Sequence, residues 1–392
     1  MPNATKHIYV DPASTVIAPM ARHIAPPRVT MTLDGLISNY DSIIRAGALY
    51  YPVAYQFARE LGRGRQGRVF LAQRQGGRGC ITEHAIKIFD PRIYHSPEEY
   101  WTDMGRIASQ VSRMQRIQSP NLVSRHNYDE TFGIGYLEME AIDGMDLRRF
   151  LSHDHLELAR KNCPPKDWPK RIKSIFRIEK DKVSLQPGIV VYILRGVLRG
   201  LECMNELNFI HSDIKPGNIM IDRHGNVNLV DFGRAVIAGE KLTFLLGSPM
   251  YMAPEVHRRE TSGVEADLYS LGLVALEMLR GRRLLDGDNL SEDDLITAKM
   301  TLTKRLTEIL PRHVTENTDL VSILKRFIEP DPTKRYRSAM DAEVGDLGLK
   351  VVDKQLVKAG LDTEYSRDLS DYLDLLVDSR TNRIEPPVMK DS

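Results

Sequence analysis

Residues 211–218 read HSDIKPGN, and residues 230–233 read VDFG. In the first stretch a carboxylate (Asp213), an ammonium (Lys215) and an amide (Asn218) fall on one loop that Pro216 and Gly217 stiffen, and Asp231 stands on the next turn. A carboxylate beside a hydroxyl orients it and accepts its proton. An ammonium steadies a transferring phosphate, and an amide oxygen with a second carboxylate makes a hard-oxygen pair suited to a divalent cation. Each side chain alone reads as an ordinary solvated loop residue; their order and spacing together point to chemistry.

Working outward, LGRGRQGRVF (residues 61–70) carries Gly62, Gly64 and Gly67, which let a backbone turn approach phosphate oxygens without Cβ interference. A dinucleotide-binding turn would lead into a helix, whereas Val69, Phe70 and Leu71 continue as a second strand, so a phosphate-covering hairpin and a plain Gly/Arg surface hairpin are both open. Strand alternation in AIKIF sends Lys87 to the face opposite Ile86 and Ile88. Pro97, Glu98 and Glu99 suit a helix start, and Met104, Ile107, Val111, Met114 and Ile117 follow at helical spacing. GYLEMEAID (135–143) reads as a strand and LRRFL (147–151) as a short helix; from Gly188 the pattern is mainly helical. The order is a small β-rich lobe followed by a larger α-rich one.

The 392 residues carry 54 Lys+Arg against 53 Asp+Glu, a net charge of +1 that gives no global reason to expect nucleic acid or an anionic membrane as partner. Cys80, Cys163 and Cys203 form neither a disulfide framework nor a paired zinc site. The N-terminus lacks the pattern of a secretory signal, and no stretch approaches the roughly 18 continuous apolar residues that span a bilayer. The expectation is a soluble, cytoplasmic protein. Apolar residues at 42% and charged ones at 27% exclude wholesale disorder.

From Tyr55 to about residue 345 the chain resembles the eukaryotic-type protein kinases. Gly62, Gly64, Gly67 and Val69 match GxGxxGxV, Lys87 matches the lysine of VAIK, and HSDIKPGN matches HRDLKxxN. DFG stands at Asp231–Gly233 and APE at Ala253–Glu255. Asp267 and Arg335 look like the family's structural aspartate and the late arginine that pairs with the APE glutamate, here Glu255. The resemblance implies an α+β, bilobal fold: an extension over 1–54, a kinase-like domain over 55–345 (small lobe about 55–140, large lobe about 143–345, insertion about 152–187) and a helical extension over 346–392.

It also implies ATP with Mg2+ in the cleft, Mn2+ being the other candidate, and phosphoryl transfer to protein Ser or Thr, as Lys215 and Ser248 resemble serine/threonine rather than tyrosine kinases. Asp213 would orient the acceptor, Lys215 steady charge, Lys87 clamp phosphates, and Asn218 with Asp231 hold metal. Val69 and Ala85 would roof the adenine, Met139 stand as gatekeeper, Glu140 and Ile142 offer backbone groups, and Asp146 meet the ribose.

Two departures stand out. Gln110 occupies the position of the helix glutamate that partners the strand lysine; a neutral amide can bond Lys87 without neutralising it, which leaves open weaker phosphate positioning or a compensating acid, Asp103 or else Glu98 or Glu99. Ser212 replaces the loop arginine that holds a phosphorylated activation segment, which argues against strict dependence on such a phosphate; Thr243 is the clearest hydroxyl there. A nucleotide-binding scaffold and a small-molecule kinase are the alternatives. Residues 160–182 hold nine basic and three acidic side chains, with Trp168 and Phe176 interleaved. They read as an exposed insertion that offers docking to a protein partner, with neither nucleic acid nor membrane expected. His153 and His155 read as a solvated loop, with no further ligand nearby to complete a metal site.

Overall fold

The computed structural model of the protein describes residues 31–179, 182–239, 248–261, 263–284, 291–358 and 364–384. Helix α1 (Leu33–Ala46) starts at Thr32, whose side chain accepts the Gly35 N–H, and buries Leu36, Tyr40 and Ile43. The next residues form β1 (Ala48–Leu49), which pairs with β2 (Tyr55–Gly64). Part of the segment expected as an extension is therefore built into the small lobe.

Strands β3 (Gly67–Gln75) and β4 (Ile81–Phe89) follow by hairpins, and β5 (Arg125–Thr131) and β6 (Ile134–Glu140) complete a six-stranded sheet in the order β1-β2-β3-β4-β6-β5. Between β4 and β5 lies α2 (Pro97–Met114). Its N-terminus is fixed reciprocally: the Ser96 hydroxyl accepts the Glu99 N–H and the Glu99 carboxylate accepts the His95 N–H. Of the expected apolar stripe, Met104, Ile107, Val111 and Met114 are buried with Tyr100, whereas Ile117 lies past the helix end and is half-buried.

The large lobe begins with β7 (Gly144–Asp146) and α3 (Leu147–Phe150). The insertion is ordered as α4 (Asp154–Asn162), α5 (Trp168–Ile175) and the hairpin β8 (Phe176–Glu179) with β9 (Lys182–Leu185). Helix α6 (Pro187–Asn205) is apolar on most of its circumference and is accordingly central. Short strands β10 (Phe209–Ile210), β11 (Ile219–Asp222), β12 (Val227–Leu229) and β13 (Val236–Ile237) carry the loops between them, β11 being sandwiched by β12 and β7. Helices α7 (Pro254–His257), α8 (Val264–Arg280), α9 (Glu292–Ile309), α10 (Arg312–Thr315), α11 (Thr318–Phe327) and α12 (Ala339–Val344) complete the lobe. No described helix is long and apolar enough to cross a membrane.

The C-terminal segment forms α13 (Leu349–Lys358), α14 (Tyr365–Leu373) and the small pair β14 (Val377–Asp378) and β15 (Arg383–Ile384). It covers the inner face of the insertion. Tyr372 packs among Phe150, His155 and Phe176, Asn162 donates to the Leu375 carbonyl at 2.7 Å, and Arg171 pairs with Asp371 at 3.2 Å. This corrects the solvated-loop reading of His155, which is 1% exposed. Its Nε2 donates to the Phe150 carbonyl at 3.1 Å and its Nδ1 accepts from the Tyr372 hydroxyl at 2.5 Å, while burial pulls its pKa down to about 4. His153 is exposed as expected. Beyond α14 the chain passes the start of the large lobe, where the Ile384 N–H donates to Asp143 at 2.9 Å, and reaches the small lobe, where Arg383 pairs with Glu83 on β4.

Candidate active site

The register of the sheet assembles one wall of the cleft. Val69 lies opposite Lys87, and Ala85 opposite Met139. Cross-strand partners share a face, as do residues two apart on a strand, so Val69, Ala85, Lys87 and Met139 line one side while Ile86 and Ile88 are buried on the other. Gly62 and Gly64 sit at the end of β2, and Gly67 opens β3 with φ 143°. A Cβ on Gly67 would lie 1.9 Å from the Ile88 carbonyl oxygen, so only glycine permits this approach. Beside the wall, the Glu140 N–H donates to the Ser124 carbonyl at 2.9 Å, Ile142 is half-buried, and Asp146 caps α3 by accepting the Arg149 N–H at 3.0 Å. Burial raises the Asp146 carboxyl.

Lys87, 4% exposed, donates to Asp231 Oδ1 at 2.5 Å and to Gln66 Oε1 at 3.2 Å. Burial alone would raise the Asp231 carboxyl, but the Lys87 ammonium outweighs it and, with Lys215, holds the group well below the usual carboxylate range. Asp231 is thus ionised at neutral pH. Its φ of 61° is a left-handed conformation uncommon for a residue with a Cβ. Gln66, at the turn between β2 and β3, is a contact that sequence reasoning missed.

The loop HSDIKPGN is held from below by the buried Asp267 on α8. Its two oxygens accept the N–H groups of His211 at 2.6 Å and Ser212 at 2.9 Å, the latter at φ 64°. Burial pushes the Asp267 carboxyl up to about 6 against the pull of those two N–H groups. Held this way, the loop presents Asp213, Lys215 and Asn218 together. Lys215 Nζ donates to Asp213 Oδ2 at 2.7 Å and to Ser248 Oγ at 3.3 Å, and Ser248 Oγ donates to Asp213 Oδ1 at 2.9 Å. The Asn218 amide nitrogen donates to the Asp213 carbonyl at 2.8 Å and to Oδ2 at 3.1 Å. That commitment leaves Asn218 Oδ1, with the Asp231 carboxylate, as the hard-oxygen donors, a set that fits a divalent cation. Arg234, next to the DFG glycine, stands 3.9 Å from Asp213 Oδ1 and was not foreseen.

Two of the three candidate acids on α2 are engaged elsewhere: Asp103 accepts from the Tyr94 hydroxyl at 2.6 Å and from Arg106 Nε at 2.8 Å, and Glu99 is spent on the helix cap, while the carboxylate that meets Lys87 is Asp231 and Glu98 is exposed. Gln110 turns elsewhere: its Nε2 donates to the Ala235 carbonyl. Arg106 donates to the carbonyls of Gly233 at 3.0 Å and Ala235 at 3.3 Å. Helix α2 therefore grips the backbone just after DFG through an amide and a guanidinium. Gln110→Glu should accordingly lower kcat on a peptide acceptor about tenfold, by setting a carboxylate against a carbonyl and losing one buried hydrogen bond. A gain in kcat would mean that the side chain swings to Lys87 instead.

The far end of the activation segment is anchored by Arg335, whose guanidinium meets both oxygens of Glu255 at 2.6 and 2.8 Å, as the motif match implied. Thr243 lies outside the described residues.

A family model described as "Protein kinase domain" matches residues 55–343. The serine/threonine-protein kinase PrkC of Bacillus subtilis (strain 168) is 30% identical over 296 residues, 74% of this chain and 39% of that protein. The CBL-interacting protein kinase 4 of Oryza sativa subsp. japonica is 27% identical over 290 residues, 72% of this chain and 54% of its own length. Ribosomal protein S6 kinase alpha-6 of Homo sapiens is 24% identical over 323 residues, 81% of this chain and 37% of that one. The chain thus spans between 37% and 54% of the length of these three relatives. A lysine paired with the DFG aspartate, a loop aspartate bridged to lysine and serine, and a match through 55–343 converge, and the chain belongs to the protein kinase domain family.

Proposed function

We propose that the protein is a serine/threonine kinase that transfers the γ-phosphoryl group of ATP to Ser or Thr hydroxyls of protein substrates, with Mg2+ as the metal and Mn2+ as its alternative. The triangle of Asp213, Lys215 and Ser248 carries the reading. Ser248 already places a hydroxyl proton against Asp213 Oδ1, which supports Asp213 as the group that orients an acceptor hydroxyl and takes its proton. The acceptor oxygen bonds to the γ-phosphorus as the bond to the β-phosphate bridging oxygen breaks, and ADP leaves. Lys215 balances charge beside Asp213, and Lys87 clamps the α- and β-phosphates. Asn218 and Asp231 would hold the metal, which when bound neutralises charge on the phosphate oxygens.

Val69, Ala85 and Met139 enclose the adenine, the backbone of Glu140 and Ile142 meets its edge, Gly62, Gly64 and Gly67 let the hairpin cover the phosphates, and Asp146 meets the ribose. Gln110 no longer argues for a scaffold, because it is engaged with the segment after DFG. A cytoplasmic setting accompanies this reading, supported by Cys80, Cys163 and Cys203 as free thiols. The exposed Arg160, Lys161, Lys166 and Lys170 of the insertion offer a docking face to an acidic protein partner. Phosphoamino acid analysis of an acceptor labelled from γ-labelled ATP should return phosphoserine or phosphothreonine. Label confined to tyrosine or to a small molecule would overturn the assignment.

A further inference from the structure

Helix α9 places an ammonium where no solvent reaches it. Lys299 is 0% exposed, and its Nζ donates to the Pro249 carbonyl at 2.6 Å, to the Met252 carbonyl at 2.7 Å and to His257 Nε2 at 2.8 Å. The same Nε2 also lies 3.1 Å from the Pro249 carbonyl, and Nδ1 lies 3.2 Å from Glu292 Oε1, so the imidazole joins Lys299, Pro249 and Glu292 in one cluster. Burial lowers the His257 pKa. Burial also pulls Lys299 down to about 7, with Glu255 drawing it back up, and Glu255 is itself held by Arg335. A desolvated ammonium is costly, and here its donors go to backbone carbonyls and an imidazole.

What it ties is specific. Pro249 and Met252 flank the turn that directly follows Ser248, the residue bonded to Asp213, and the Tyr251 hydroxyl in the same turn is tied to Glu277 at 2.6 Å. In this turn Pro249 is exposed, Ser248, Met250 and Tyr251 are half-buried, and Met252 is buried. The turn is therefore a surface ledge beside the reacting aspartate, held from its underside by Lys299.

We infer that Lys299 is a positioning residue for acceptor recognition: through the Pro249 and Met252 carbonyls it fixes the ledge on which the polypeptide around the acceptor hydroxyl rests, without touching nucleotide. The inference rests on the protein-kinase reading. Its consequence is a split between the two substrates, because Lys87 and Asp231 receive no bond from this cluster.

The test is steady-state kinetics of Lys299→Met against wild type on a Ser/Thr peptide that wild type phosphorylates, with ATP and peptide varied independently. The peptide KM should rise about tenfold, while the ATP KM stays within about twofold, as expected when uniform binding of one substrate is lost. If Lys299→Met does not fold, Lys299→Gln, which keeps an amide donor, is measured for the same split. A peptide KM unchanged within twofold, or ATP and peptide KM rising together, overturns the inference while leaving the kinase reading intact. Wild type that phosphorylates no peptide at all overturns both.

Discussion

Lys87→Met should lower kcat/KM for ATP-dependent transfer by about 10²- to 10⁴-fold, which is about 3–5 kcal/mol in the activation barrier. Lys87 is nearly buried and its ammonium is the hub of the cleft, bonded at once to Asp231 and Gln66. Methionine preserves the aliphatic stem and removes the charge. Asp231 then loses the cation that places it and holds its carboxyl low, and under the proposed role the nucleotide phosphates lose their clamp. The fold should persist, because the Asp231 side chain is 35% exposed and water can take up its charge. A variant with a near-native melting temperature and near-native kcat/KM would remove Lys87 from the site.

The largest loss of stability is expected from Arg335→Met. The Arg335 and Glu255 side chains are 0% and 4% exposed, and the guanidinium also donates to the carbonyls of Glu329 at 2.7 Å, Glu265 at 2.9 Å and Pro330 at 3.1 Å. Removing it strands a buried carboxylate and three carbonyls, a cost of about 3–5 kcal/mol. Against a total of about 5–15 kcal/mol, that is a large fraction. The melting temperature should fall by roughly 10 °C, given about 2–4 °C per kcal/mol for a domain this large. A fall of less than about 2 °C would show that the pair is replaceable.

Motif residues and strand alternation made much of this legible beforehand. Alternation in AIKIF puts Lys87 on the face opposite Ile86 and Ile88, and the order of Asp213, Lys215, Asn218 and Asp231 marks one site in the sequence alone. What stayed hidden were mostly contacts between a side chain and a distant backbone carbonyl, besides the side-chain contacts of Gln66 with Lys87 and of Arg234 with Asp213. Gln110 and Arg106 reach Ala235 across the lobes, and Lys299 reaches Pro249. A carbonyl is present at every residue, so no sequence pattern singles out the one that accepts. The expected role of Asp103 failed for a different reason: helical spacing placed it on the right face, but two nearby side chains, Tyr94 and Arg106, occupy its carboxylate. His155 looked like a loop residue because its covering residue, Tyr372, arrives from a distant C-terminal helix.

The central claim is that Asp213 serves phosphoryl transfer to a hydroxyl, and its most direct test compares wild type with Asp213→Asn in transfer from γ-labelled ATP and Mg2+ to a mixed Ser/Thr/Tyr acceptor. Asparagine keeps the shape while removing the proton acceptor. Wild type should label Ser or Thr, and the variant should lose about 10²- to 10⁴-fold in rate while still binding ATP. Equal labelling by the two proteins, or no transfer by wild type that binds MgATP, would contradict the account.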